Sequence, residues 1–146
     1  MLKLIEPLMT PELLYVLQAM GHGDDIVICD RNHPATTIAC STKHGELLTV
    51  FGATLAELSK AILTHFPLDT FVDSPVSRME VVGNSDELVK AHHDMQQIAD
   101  AAEGRAVSIR ALERFEFYKE ASKSFAIVQT SDEGPYGCFI LKKGVL

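Results

Sequence analysis

The chain has 146 residues, 47% of them hydrophobic, and a formal charge of −7. That is enough chain for one domain with its own core, and too apolar for a disordered segment. The negative balance, with no Lys/Arg run, argues against nucleic acid or an anionic membrane surface as the main partner. No apolar run approaches the roughly 20 residues that span a bilayer.

The opening stretch is too short and interrupted for a signal peptide. Then "TPELLYVLQAMG" predicts a helix: Thr10 caps it, Pro11 suits its first turn, and Gly21 suits its exit. Leu13, Leu14, Leu17 and Met20 form its apolar stripe. "DIVIC" is a short continuous apolar run, as in a buried strand. "TTIAC" and "ELLTVF" are expected as further short strands. A second helix starts at Thr54, where Glu57 completes a capping box; Leu55, Leu58, Ile62 and Phe66 line its inner face.

"SRMEVV" is expected as a strand. "NSDELVKAHHDMQQIADAAEG" is expected as a helix with Leu88, Met95, Ile98 and Ala102 inward and Gly104 as its stop. "AVSIRAL" follows as a strand and "ERFEFYKEASKS" as a helix. "FAIVQT" and "CFILKK" are strands joined by the turn-rich "SDEGPYG". With no repeat or linker, residues 1–146 form a single α/β domain: three layers, α/β/α, around a mixed, mostly buried sheet. Ligands of such sheets bind beyond strand ends.

Candidate chemistry gathers there. His22 lies between two glycines after a helix end, whose partial negative charge favours the imidazolium. It suits a proton donor, although a solvated turn residue is the plainer alternative. Asp30 closes the first strand, as either a turn residue or a carboxylate that accepts from a polyol. Asp69 and Arg114 are isolated charges in apolar surroundings. Tyr118 and Tyr136 offer hydroxyls beside ring faces.

In "AHHDM", His92 and His93 point about 100° apart on a helix, so one packed and one solvated histidine are expected and no metal. His33, His44 and His65 show no ligand spacing. No phosphate loop, nucleophile elbow or dinucleotide fingerprint is present, so no cofactor is expected. Cys29, Cys40 and Cys138 contain no Cys-x-x-Cys pair, which predicts reduced thiols in a cytoplasmic protein.

Taken together, "TPELLYVLQAMGHGDDIVICD", "PLDTFVDSP", "ERFEFYKEASKSFAIV" and "YGCFILKKGV" make the chain resemble the L-fucose mutarotase family, a relative of D-ribose pyranase. The resemblance runs over most of the chain. It implies an α/β fold, a ring-shaped homo-oligomer (typically a decamer), sites between neighbouring subunits, and cofactor-free interconversion of sugar anomers. It carries over His22 as the acid, Asp30 as a sugar-binding carboxylate, and Asp69, Tyr118, Arg114 and Tyr136 as further site residues. Tyr118, Tyr136 and Asp69 remain alternatives for the base.

Two departures stand out. Cys138 occupies the place of an asparagine, exchanging a strong donor and acceptor for a weak one. "TKHGE" stands where the family carries "IRADG". Both bear on which sugar is used more than on the reaction. Pyranose–furanose conversion of a pentose and sugar binding without catalysis are the competing readings.

Overall fold

The computed structural model describes residues 2–146. Eleven elements alternate along it: α1 (Pro11–Ala19), β1 (Asp25–Cys29), α2 (Ala35–Ala39), β2 (Leu47–Val50), α3 (Leu55–Leu63), β3 (Val76–Met79), α4 (Lys90–Glu103), β4 (Ile109–Leu112), α5 (Arg114–Ala121), β5 (Ala126–Thr130) and β6 (Cys138–Lys142). The expected caps are present. The Thr10 hydroxyl accepts from the Leu13 N–H at 3.2 Å. Thr54 and Glu57 close a full capping box on α3.

The six strands form one sheet in the order β2-β5-β1-β6-β3-β4. β1 pairs parallel with β5, β5 with β2, and β3 with β4. β6 runs antiparallel to both its neighbours, β1 and β3, and alone joins the two parallel halves.

Strand alternation sends side chains to two separate cores. On one face Ile26, Ile28, Val128, Phe139 and Leu141 pack under α1, α3 and α4. On the other, Val27, Cys29, Ile127, Cys138 and Ile140 meet Ala35 and Ala39 of α2 and Phe117 and Ala121 of α5. This is the expected three-layer arrangement.

Three expectations fail locally. "TTIAC" is not a strand: it belongs to α2, where Ala35 and Ala39, four apart, are the buried positions and the β-branched Thr36 and Thr37 face solvent. Second, β3 stops at Met79, so Val82 of "SRMEVV" lies outside it and is exposed.

The third concerns α4, which begins only at Lys90. It turns His92, Met95 and Ala99 inward, while Leu88 precedes the helix and stays exposed. Ala102 stays exposed on an open groove that it shares with Leu63 of α3 and with Thr64, which caps that helix. His92 is packed and His93 solvated.

Candidate active site

β1 divides the candidate residues into two groups, one at each end. At its entry, the loop between α1 and β1 is held from several sides. Gly23 has φ +85°, a conformation that suits glycine, and its N–H donates to Lys143 O at 2.8 Å. The Lys142 ammonium donates to Gly23 O at 3.1 Å. The Lys143 ammonium donates to Leu17 O and Met20 O, 2.7 and 2.6 Å away. The C-terminus of α1 is thus already occupied by a lysine. The charge beside His22 comes instead from Asp69, whose Oδ1 lies 3.2 Å from His22 Nε2.

The imidazole is 45% exposed while Asp69 is 3% exposed, and the ring leans on Phe71 with centroids 5.2 Å apart. The Phe71 N–H donates to the same Oδ1 at 3.0 Å. That bond first, and His22 second among the lowering influences, hold the Asp69 carboxyl below the usual carboxylate range. Backbone contact places Asp69: its N–H donates to Lys142 O, and the Gly144 N–H donates to Pro67 O. A Cβ on Gly144 would stand 2.5 Å from Leu68 O and 2.8 Å from Asp69 Cα, so this approach needs glycine.

At the exit of β1, Asp30, Asn32, His33, Met79, Val82, Arg114, Tyr118, Pro135, Tyr136 and Cys138 line a cavity of about 280 Å³. This is near the lower end of the range for small-molecule sites, about 300–1,000 Å³. Asp30 Oδ1 accepts from the Asn32 and His33 N–H groups at 2.8 and 3.2 Å, and Oδ2 from the Gly137 N–H at 3.0 Å. The Cys138 thiol lies 3.6 Å from Oδ2. Burial raises the Asp30 pKa, and these donors offset part of that rise. Asp30 is therefore both the expected turn residue and a wall of the cavity. Burial pushes the Cys138 thiol well up and the His33 imidazole down to about 4.

Tyr136 sits at φ +58°, unusual for a bulky residue and a conformation costing on the order of 1–3 kcal/mol. The turn aims its hydroxyl to accept from the Val82 N–H at 3.2 Å. Tyr118 lies edge-on to His33 at 5.4 Å, and burial raises its phenol pKa. The Arg114 guanidinium lies 4.6 Å over the Phe115 ring. Two buried atoms of this wall, His33 Nε2 and Arg114 Nε, have no hydrogen-bond partner. Such an atom typically costs about 1–3 kcal/mol.

Of the residues expected from sequence, His22 and Asp69 come together at one end; Asp30, Arg114, Tyr118, Tyr136 and Cys138 come together at the other. On the order of 20 Å of strand separates the two groups within one chain. Sequence reasoning missed Phe71 and the lysine clamp at the entry, and Met79, Val82 and His33 at the exit. His33 shows no ligand spacing; its place three residues beyond Asp30, past a strand end, is the signal the sequence carries.

The protein-family model described as the RbsD / FucU transport protein family matches residues 3–146. Fucose mutarotase of Homo sapiens is 43% identical over 148 aligned residues, covering 99% of this chain and 94% of the relative. L-fucose mutarotase of Glaesserella parasuis serovar 5 is 39% identical, covering 99% and 96%. The solved structure of fucose mutarotase in complex with L-fucose from Streptococcus pneumoniae matches with a TM-score of 0.89 at 36% identity, covering 99% of each chain.

Proposed function

The chain belongs to the RbsD / FucU transport protein family, and from that we propose that it is a sugar isomerase interconverting the α and β anomers of L-fucose or a close relative. The observation that carries this reading is the His22–Asp69 pair, 3.2 Å long, with a buried carboxylate and a half-exposed imidazole. Mutarotation needs a proton delivered to the ring oxygen and one removed from the anomeric hydroxyl. The ring then opens to the aldehyde, the C1–C2 bond rotates, and closure returns both protons. These are transfers that side chains of this protein can perform without a cofactor.

With Nε2 engaged by Asp69, Nδ1 of His22 is left to serve the ring oxygen. Asp69 orients the imidazole and balances its charge. Among the three alternatives for the base, Asp69 is held ionised, whereas burial keeps Tyr118 a phenol. The base is whichever of Asp69, Tyr118 and Tyr136 stands against the anomeric hydroxyl of the bound sugar. Tyr118 and Tyr136 give hydroxyl contacts; Asp30, Arg114 and Cys138 complete the grip on the sugar.

A single copy separates acid from grip, so the site is shared: the His22 end of one copy meets the Asp30 cavity of the next. Apolar side chains stand exposed at both ends, with Phe71 at 73% beside His22 and Phe115 at 63% beside Arg114. Two different surfaces meeting head to tail close into a ring when the rotation allows, and a decamer is the expected closure. Among the described residues no helix is long and apolar enough to cross a membrane. Cys40 is a free, exposed thiol, which fits a reducing cytoplasm.

The test is saturation-transfer NMR of anomer exchange in L-fucose. His22→Ala is expected to slow catalysed exchange about 10²–10⁴-fold while circular dichroism stays unchanged. Undiminished exchange in a folded variant removes His22 from the reaction.

A further inference from the structure

We propose that Lys142 is a positioning residue of the His22–Asp69 pair: its backbone carbonyl holds the Asp69 N–H and its ammonium holds the carbonyl beside His22, so one residue sets the spacing of both partners. The proposal rests on the mutarotase reading and adds a residue that acts through the pair rather than on the sugar.

Lys142 is the last residue of β6, opposite Asp25 of β1 in the antiparallel register. Its main chain is engaged on the other edge as well. The N–H donates to Pro75 O at 2.9 Å, and the carbonyl accepts from the Asp69 N–H at 3.0 Å. Its ammonium donates to Gly23 O at 3.1 Å and lies 2.9 and 3.0 Å from the two carboxylate oxygens of Asp25. Gly23 directly follows His22. The loop bearing the imidazole and the segment bearing the carboxylate therefore meet at one residue, and the two holds are joined by that residue's own bonds.

A flexible four-carbon stem ordinarily leaves an ammonium free to move. Here Asp25 removes that freedom. The two side chains are 29% and 28% exposed, so the ion pair is mostly covered and the ammonium keeps a fixed place. Asp25 also balances the positive charge close to the His22 loop. Burial raises the Asp25 pKa and Lys142 offsets part of that rise, while Glu120 and Arg110 act on the same carboxylate with opposite signs.

The spacing matters because the contact it sets is easily lost. His22 Nε2 and Asp69 Oδ1 are 3.2 Å apart, at the outer edge of an N–H···O bond. Little further separation at either hold is enough to break it. The ammonium also bears on the charge of the pair. The Phe71 N–H, then His22, then Lys142 hold the Asp69 carboxyl below the usual carboxylate range. Loss of the lysine side chain thus acts twice, on the position of His22 and on the ionisation of Asp69.

The experiment compares wild type, Lys142→Met, Lys142→Arg and the double variant Lys142→Met with Asp25→Asn. It reads anomer exchange of L-fucose by NMR across pH, and Kd by titration. Lys142→Met keeps a long stem and deletes the donors. It is expected to lower kcat about 10- to 100-fold and to leave Kd unchanged, since the grip on the sugar lies at the other end of β1. The acid limb of the kcat–pH profile moves to higher pH, because Asp69 loses a neighbouring cation and its hold on His22. Lys142→Arg keeps charge and donors, and restores the acid limb and most of kcat. The double variant leaves no unpaired carboxylate at position 25 and carries the test if Lys142→Met does not fold. Wild-type kcat in either folded variant overturns the proposal alone. So does a lowered kcat with the acid limb unmoved, which makes the lysine a structural residue only. A wild type that does not accelerate exchange overturns the mutarotase reading and this proposal with it.

Discussion

The two ends of β1 carry the same residue types in opposite electrostatic states. At the entry, a half-exposed histidine pairs with Asp69, which is held ionised by the Phe71 N–H and the imidazole. At the exit, a buried histidine is pushed down to about 4 and a buried Asp30 is pushed up, both by loss of water. One end is therefore suited to moving a proton. The other is suited to holding uncharged groups by direction and shape. In the reading proposed above a sugar that changes anomer uses both, and within one copy the length of β1 lies between them.

Mixing is the most severe test of that division. His22→Ala and Asp30→Asn assemblies are each expected to be nearly inactive. If they are dissociated, combined and reassembled, about a quarter of the head-to-tail contacts regain both native residues. Anomer exchange should recover to that fraction. No recovery in mixed rings verified by native mass spectrometry would break the shared-site arrangement.

The pH dependence of stability separates the ends next. His33 falls from its usual 6.5 to about 4, so the fold prefers it neutral. The stability this gives is complete above 6.5 and is lost as pH falls toward 4, by up to about 3 kcal/mol. Urea midpoints between pH 7 and 4 should fall less steeply in His33→Phe. Asp30 has the opposite sign: its folded pKa is raised, so its ionisation costs stability, which returns as pH falls through that value. Asp69, shifted down, contributes above the usual carboxylate range and loses that contribution in stronger acid.

A smaller effect probes how the entry is built. Gly144→Ala forces Leu68 and Asp69 away from the end of β6. It is expected to cost about 1–3 kcal/mol by thermal melting and to slow exchange by displacing Asp69 from His22. The sugar affinity of the exit cavity should change little. Smallest is Tyr136→Phe, which removes the acceptor of the Val82 N–H and should weaken sugar binding about 2- to 10-fold.

Much of this was legible in the residues. The Thr10 and Thr54 caps, the apolar "DIVIC" and the interleaving of strands with helices led directly to the layers. α2 was hidden because "TTIAC" is β-branched; only the packing of Ala35 and Ala39 decides for a helix. Leu88 fell outside α4 because an apolar stripe does not say where the first helical turn closes.

At the site, His22 and Asp30 were identifiable as residues flanking a strand. Eight positions look close in sequence, yet an extended strand turns them into opposite poles. The partnership of His22 with Asp69 depends on β6 bringing residues 142–144 against residues 67–69. No local pattern announces such a contact.

The central place of β6 also bears on how the molecule is made. Until this sixth strand emerges from the ribosome, β2-β5-β1 and β3-β4 have nothing to bridge them, and β1 and β3 present open edges. Both poles need this strand or the two residues that follow it, Cys138 at one and Lys142, Lys143 and Gly144 at the other. A stalled or clipped product lacking this strand would be sticky as well as inert, so quality control and catalysis hinge on the same few residues.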